Sequence, residues 1–311
     1  LPLKDKSPLG ILCVLACEVL WGFSFMFTKT VTDTVSPLAL LAWRFVLALL
    51  VMSLLALLRI VKLDFRNKSL KALLLLAVFV PGSYFIGETV GIKLTSASES
   101  GAIIACIPVG ALLLSTFMLK QPPTKLQVGG VGLTTIGIIA ILAAKGLSAT
   151  FNPLGYLMLL IAVVSYGLYS VYAQRAAEFS SAEKTYAMMA MGAAVFTVLA
   201  LVESARNDSL KAFVMLPFNN HEFLIAILYL GIGCSIIAFL MYNFALTSIG
   251  TNRTSSFAGL ATLVAILAGV IILKEGYSVA QSAGTILVIG GVYLANMTHG
   301  KKVIVDPESE Y

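Results

Sequence analysis

The chain carries one long stretch twice, and this duplication limits its fold more than any other feature. Tyr84 to Gly137 recurs as Ala238 to Gly291 under a gap-free shift of 154 positions, which lays Leu119-Lys120 on Leu273-Lys274, Gln127 on Gln281, Gly130 on Gly284 and Gly137 on Gly291. Ahead of it, Pro8, Leu9, Gly10 and Gly22 fall on Pro153, Leu154, Gly155 and Gly167 at a shift of 145. The growth of the shift from 145 to 154 puts nine extra residues in the second copy. The polar segment Arg206 to Glu222 is the simplest place for them and reads as a loop. In each copy an apolar helix ends in a small polar turn, a second apolar helix ends at a Lys, and a Gly-spaced helix follows. Two long apolar copies are unlike the many short units of a soluble solenoid.

Composition decides what kind of helices these are. Hydrophobic residues make up 59% of the chain and charged residues 12%, against about 45–50% and 25% in a soluble domain. Such a chain cannot cover itself with polar surface, and its long apolar runs lack the alternation of an outer-membrane barrel. Cys13, Cys17, Cys106 and Cys234 all lie inside apolar runs and read as small buried hydrophobes, not as a disulfide framework or a metal site. Neither a metal nor another cofactor is expected. The net charge of +6 is spread over loops, which points to membrane orientation and away from nucleic acid.

A bilayer core needs about 20 apolar residues per helix. On that rule the sequence predicts ten spans, near 9–30, 37–58, 70–92, 96–118, 124–144, 154–175, 184–203, 222–246, 252–273 and 278–298. With the N-terminus inside, fourteen Lys and Arg fall on the inner side and six on the outer, as the positive-inside rule requires. Both termini are therefore expected in the cytoplasm, and the protein in the plasma (inner) membrane. Five spans per copy is an odd number, so the second copy enters the membrane upside down, the inverted-repeat plan of secondary transporters. The predicted fold is an all-α polytopic membrane protein of ten transmembrane helices in two inverted five-helix repeats. Residues 1–148 form the first repeat, 149–300 the second and 301–311 a cytoplasmic tail.

The motifs Trp21-Gly22-x-Ser24-Phe25-x-Phe27-x-Lys29, Arg44-Phe45, Thr95-Ser96-Ala97-Ser98, Pro108, Lys274-Glu275, Gly284 and Gly290-Gly291 follow one another in an order that resembles the EamA-type branch of the drug/metabolite transporter superfamily. The resemblance covers nearly all of both halves. It departs at Gln121, where the pattern has the acid seen at Glu275, and at Glu18, three residues before the Trp. It implies a transporter of small metabolites, commonly amino acids and their relatives, working as a monomer or weak dimer in the bilayer.

Charges inside a span are costly and mark functional candidates. Glu18 lies roughly 13 Å into the first span at 1.5 Å per residue, on one helix face with Gly22, Phe25 and Lys29. It reads either as a hydrogen-bonded carboxyl that glues helices together or as a group that meets substrate and exchanges protons. Trp21, Phe25, Tyr84, Tyr166, Tyr169, Tyr172 and Tyr242 fall on the spans that line the centre in the resembling family, although Tyr166 and Tyr172 also suit a membrane-interface belt; Glu18, Trp21, Phe25, Tyr84, Glu88, Tyr169, Tyr242 and Asn243 form the expected binding set. Lys29, Arg44, Lys93, Glu99 and Arg253 are the expected gating residues, with Arg44–Glu88 as a candidate static ion pair. The helix breakers Pro81-Gly82, Pro108, Gly231 and Gly233 mark places where loosened helices can line a site. The cargo expected is a small amphiphilic metabolite, an amino acid or related amine, exported by alternating access with proton linkage. The contrasting readings are an organophosphate or nucleotide-sugar exchanger of the same superfamily and an intramembrane enzyme. The first wants several inward-facing cations, and the second wants convergent catalytic groups that the spans lack.

Overall fold

The computed structural model describes residues 7–66, 68–118, 123–146, 151–176, 178–249, 257 and 259–296. Among these the chain is helical throughout, without strands. The first half comprises α1 (Ser7–Thr32), α2 (Pro37–Leu57), α3 (Leu70–Ala77), α4 (Tyr84–Leu94), α5 (Ala97–Ile104), α6 (Ile107–Met118) and α7 (Lys125–Gly146). The second comprises α8 (Pro153–Arg175), α9 (Ser181–Arg206), α10 (Leu210–Asn219), α11 (His221–Leu228), α12 (Ala238–Ile249), α13 (Gly259–Leu267) and α14 (Val279–Asn296). Local signals set several starts. Ser36 accepts the Leu38 amide ahead of Pro37, and Asn152 accepts the Gly155 amide ahead of Pro153, each an N-cap followed by a proline that needs no donor.

Among the described residues seven helical segments are long and apolar enough to cross a membrane: Pro8–Thr32, Pro37–Leu57, Leu73–Leu94, Ala97–Met118, Lys125–Ala144, Ser181–Arg206 and His221–Tyr242. The other three expected spans fall on shorter apolar helices, Pro153–Tyr169, Gly259–Ile272 and Val279–Ala295. Apolar side chains such as Leu50, Leu54, Ile136, Ile139, Val198 and Ile286 point outward, as lipid contact demands and water would not favour. The segment after Arg206 is not the loop expected from its polarity. Leu210, Phe213, Leu216 and Pro217 recur at helical spacing, and Trp43 donates its Nε1–H to the Phe213 carbonyl at 3.1 Å.

Helix breakers do widen the helices. Val78–Ser83 joins α3 to α4 through a π-helical stretch in which Val80 leaves helical geometry at φ −133°, ψ 112°. Tyr229–Ile237 is a second π stretch, between α11 and α12, and Ala268–Ile272 a third, after α13. The helices pack in matched pairs. α1 lies on α12 and α13, while α8 lies on α4 and α6; α2 lies on α9, and α7 on α14. A Cβ on Gly137 would stand 2.6 Å from the Gly284 carbonyl, and Gly130 meets Gly291 in the same way. The pairings 137 with 284 and 130 with 291 run in opposite senses, so α7 and α14 are antiparallel and touch backbone to backbone.

Candidate functional site

A cavity of about 400 Å³ lies at the centre of the bundle, within the usual size for small-molecule sites. Its walls come from both halves: α1, α2, α4, α5 and α6 on one side, α8, α12 and α13 on the other. α1 contributes Glu18, Trp21 and Phe25, which share a face at spacings of three and four. Trp21 is fixed by its indole N–H, which donates to the Cys234 carbonyl at 3.3 Å, by an edge contact to Phe239 and by a tilted one to Tyr242, with centroids 5.3 and 5.2 Å away. The Glu18 side chain is 3% exposed and takes the backbone N–H of Ala261, in the first turn of α13. A carboxylate there complements the positive end of the helix. Both readings of Glu18 thus have a partner, because the same carboxyl caps a helix and lines the cavity.

Arg44 and Glu88 also line the cavity, 5% and 7% exposed. The expected ion pair between them is not formed. Among the described residues the ion pairs are Lys29–Asp33 at 3.3 Å and Lys68–Glu183 at 2.8 Å. Glu88 instead accepts the Tyr84 hydroxyl at 2.7 Å, and Arg44 sends Nε–H to Ser235 Oγ at 3.2 Å with its Cζ 4.4 Å from the Phe85 ring centre. The one-turn spacing of Tyr84 and Glu88 on α4 makes their hydrogen bond local, whereas Arg44 is held from the other half.

Of the expected binding residues, Glu18, Trp21, Phe25, Tyr84, Glu88 and Tyr242 line this cavity, and so does Arg44, which was expected at the mouth. Tyr169 packs on Tyr166 at 5.3 Å, and Tyr166 is the one that lines the wall. The Asn243 side chain and the whole of Arg253 lie outside the described residues. Sequence reasoning missed Ser24, Val80, Phe85, Phe239 and Thr262. Val80 had a signal in the proline that follows it and Ser24 stands in the motif quoted around Trp21; Phe85, Phe239 and Thr262 carry no such mark.

Lys29, Lys93 and Glu99 gather at one end of the bundle, where hydrogen bonds join α1 to α4 and α5 to α14. Lys29 Nζ donates to the Lys93 carbonyl at 2.9 Å, and Gln281 Nε2 donates to Glu99 at 2.8 Å. Lys274 adopts a left-handed φ of 57° that turns Glu275 back towards α5. The Glu275 carboxylate then accepts the amides of Ala97 and Ser98 at 2.7 and 2.9 Å and the Ser98 hydroxyl at 2.6 Å. Ser96 takes the Glu99 amide at 3.1 Å. The first amides of α5 are thereby satisfied, two of them by a residue from the opposite half.

The profile of the EamA-like transporter family matches this chain twice, over residues 8–143 and 153–297. The chain belongs to that family. Among EamA-like relatives, YcxC of Bacillus subtilis (strain 168), named an uncharacterized transporter, is 31% identical over 300 residues, 96% of each chain. YedA of Escherichia coli (strain K12), named an uncharacterized inner membrane transporter, is 26% identical over 262 residues, covering 82% of this chain and 80% of its own. A protein of known crystal structure aligns over 94% of this chain and 99% of its own with a TM-score of 0.61 and 20% identity, a likeness of fold alone. As an EamA-like protein the chain is a multi-pass membrane transporter, and its two family matches coincide with the two copies of the sequence repeat.

Proposed function

We propose that the protein moves a small amphiphilic metabolite, an amino acid or related amine, out of the cell across the plasma membrane by alternating access, with proton linkage. The observation that carries this reading is the central cavity, because it is walled by both halves and lined by aromatics, two carboxylates and one guanidinium. The ten spans form two inverted five-helix repeats, residues 1–148 and 149–300, with both termini cytoplasmic. The matched packing of α1 with α12 and of α8 with α4, and the antiparallel glycine contact of α7 with α14, support that plan, since a two-fold axis in the membrane plane would produce both. The ties at Lys29, Lys93 and Glu275 then close the outer mouth. Two acids against one base in the cavity disfavour an organophosphate, which calls for several cations.

The test is flux into proteoliposomes holding the full chain, screened with amino acids, amines and sugar phosphates, with and without a pH gradient. Counterflow of an amino acid or amine is expected. Counterflow restricted to sugar phosphates would overturn the reading.

A further inference from the structure

We propose that Arg44 is the specificity-determining residue that reads a carboxylate on the cargo, so that the transported molecule is a zwitterion bearing carboxylate and ammonium together and not a simple amine. The proposal rests on the cavity being the transport site. It starts from how tightly the guanidinium is held and how few of its donors are taken. Nε–H is taken by Ser235 Oγ at 3.2 Å, and Ser235 is itself aimed by donating to the Leu230 carbonyl at 2.9 Å within the π stretch. Phe85 lies 4.4 Å from Cζ and Phe45 5.8 Å, so the plane of the fork is set by aromatic faces. Gly231 lets the π stretch sit directly on α2 at this turn, because a Cβ there would stand 3.0 Å from the Arg44 carbonyl.

That leaves the two Nη groups. Among the described residues no carboxylate lies within 4 Å of them; Glu88 on α4 attracts Arg44 from further off and accepts the Tyr84 hydroxyl. A buried guanidinium that no carboxylate touches gains only the longer-range attraction of Glu88, and its planar fork matches a carboxylate in two-point contact. The other charged side chains lining the cavity are Glu18 and Glu88, both acids. A simple amine would meet those acids but leave the Arg44 fork without a direct partner. A simple carboxylate would meet Arg44 but face both acids. A zwitterion satisfies both signs at once.

The test uses the purified full chain and calorimetric titration with matched sets of ligands that keep the side chain constant: phenylalanine, phenethylamine and 3-phenylpropionate; leucine, isopentylamine and 4-methylpentanoate; lysine and cadaverine. In at least one set the amino acid is expected to bind about tenfold or more tighter than its amine and its acid, the scale of a charge-assisted hydrogen-bond pair. Arg44→Gln should bring amino acid and amine to within about twofold of each other, and Arg44→Lys should restore part of the difference. If Arg44→Gln does not fold, Ser235→Ala keeps the charge but frees the fork, and should weaken the amino acid several-fold more than the amine. Equal or tighter binding of the amines by the wild type, or an unchanged ratio in these variants, overturns the role of Arg44 alone. Binding by no member of any set overturns the amino-acid or amine reading of the cavity as well.

Discussion

At the scale of single residues, a charge in an apolar run was the strongest signal the sequence offered. Glu18, Arg44 and Glu88 stand out as charges inside apolar spans, and all three line the cavity. Their partners were not legible, since they come from far away in the chain: Ala261 for Glu18, Ser235 for Arg44. The nearest candidate by depth, Glu88, was therefore assigned to Arg44, although the local Tyr84 hydroxyl had already satisfied it. Glu18 joins two roles that a substitution separates. Glu18→Gln keeps an oxygen for the Ala261 amide and removes only charge and titration, so the protein should fold while amine or amino-acid binding falls about tenfold or more, the worth of a charged hydrogen bond. Transport in the same variant should lose its dependence on a pH gradient. Wild-type binding together with wild-type pH dependence would reduce Glu18 to a helix cap.

Whole elements were easier to read where the bilayer fixes their length and harder where packing decides. The long spans emerged from hydropathy alone, and the breakers Pro81, Gly231 and Gly233 fall inside the π stretches that shape the cavity. The short helix α10 was hidden by its polar flanks, because its apolar face is only visible once Trp43 and the end of α2 are there to receive it. Contact between α7 and α14 gives a sharp contrast among glycines. Gly137→Leu or Gly284→Leu would drive a side chain into the facing backbone and should lower stability by about 1–3 kcal/mol, the usual cost of overpacking. Gly132 has open space where its Cβ would be, so Gly132→Ala should leave the thermal midpoint unchanged or raise it slightly. Equal losses at Gly132 and Gly137 would refute the packing argument. The Glu275 clasp on α5 makes a second case. Glu275→Gln weakens its charge-assisted bonds, so the Ala97 and Ser98 amides should exchange with deuterium several-fold faster, and unchanged protection would mean that the clasp holds nothing closed.

For the molecule as a whole, the duplication was legible in the sequence and the family matches each copy; the opposite orientation of the copies is the proposal that an odd span number makes. What the repeat could not reveal is what the acid at Glu275 holds. Glu275 grips the start of α5, while the matching position in the first copy is Gln121, and an amide cannot supply the same charge. Alternating access requires that the tied end open during each cycle, and Lys29 and Lys93 meet there. The most direct measurement is proteoliposome flux, for a cargo returned by the ligand screen, in a Lys29→Cys, Lys93→Cys variant whose two thiols are joined by a short bifunctional reagent with a reducible spacer. Flux should fall to background as the crosslink forms and recover when the spacer is reduced; full flux with the crosslink in place would contradict alternating access through this cavity.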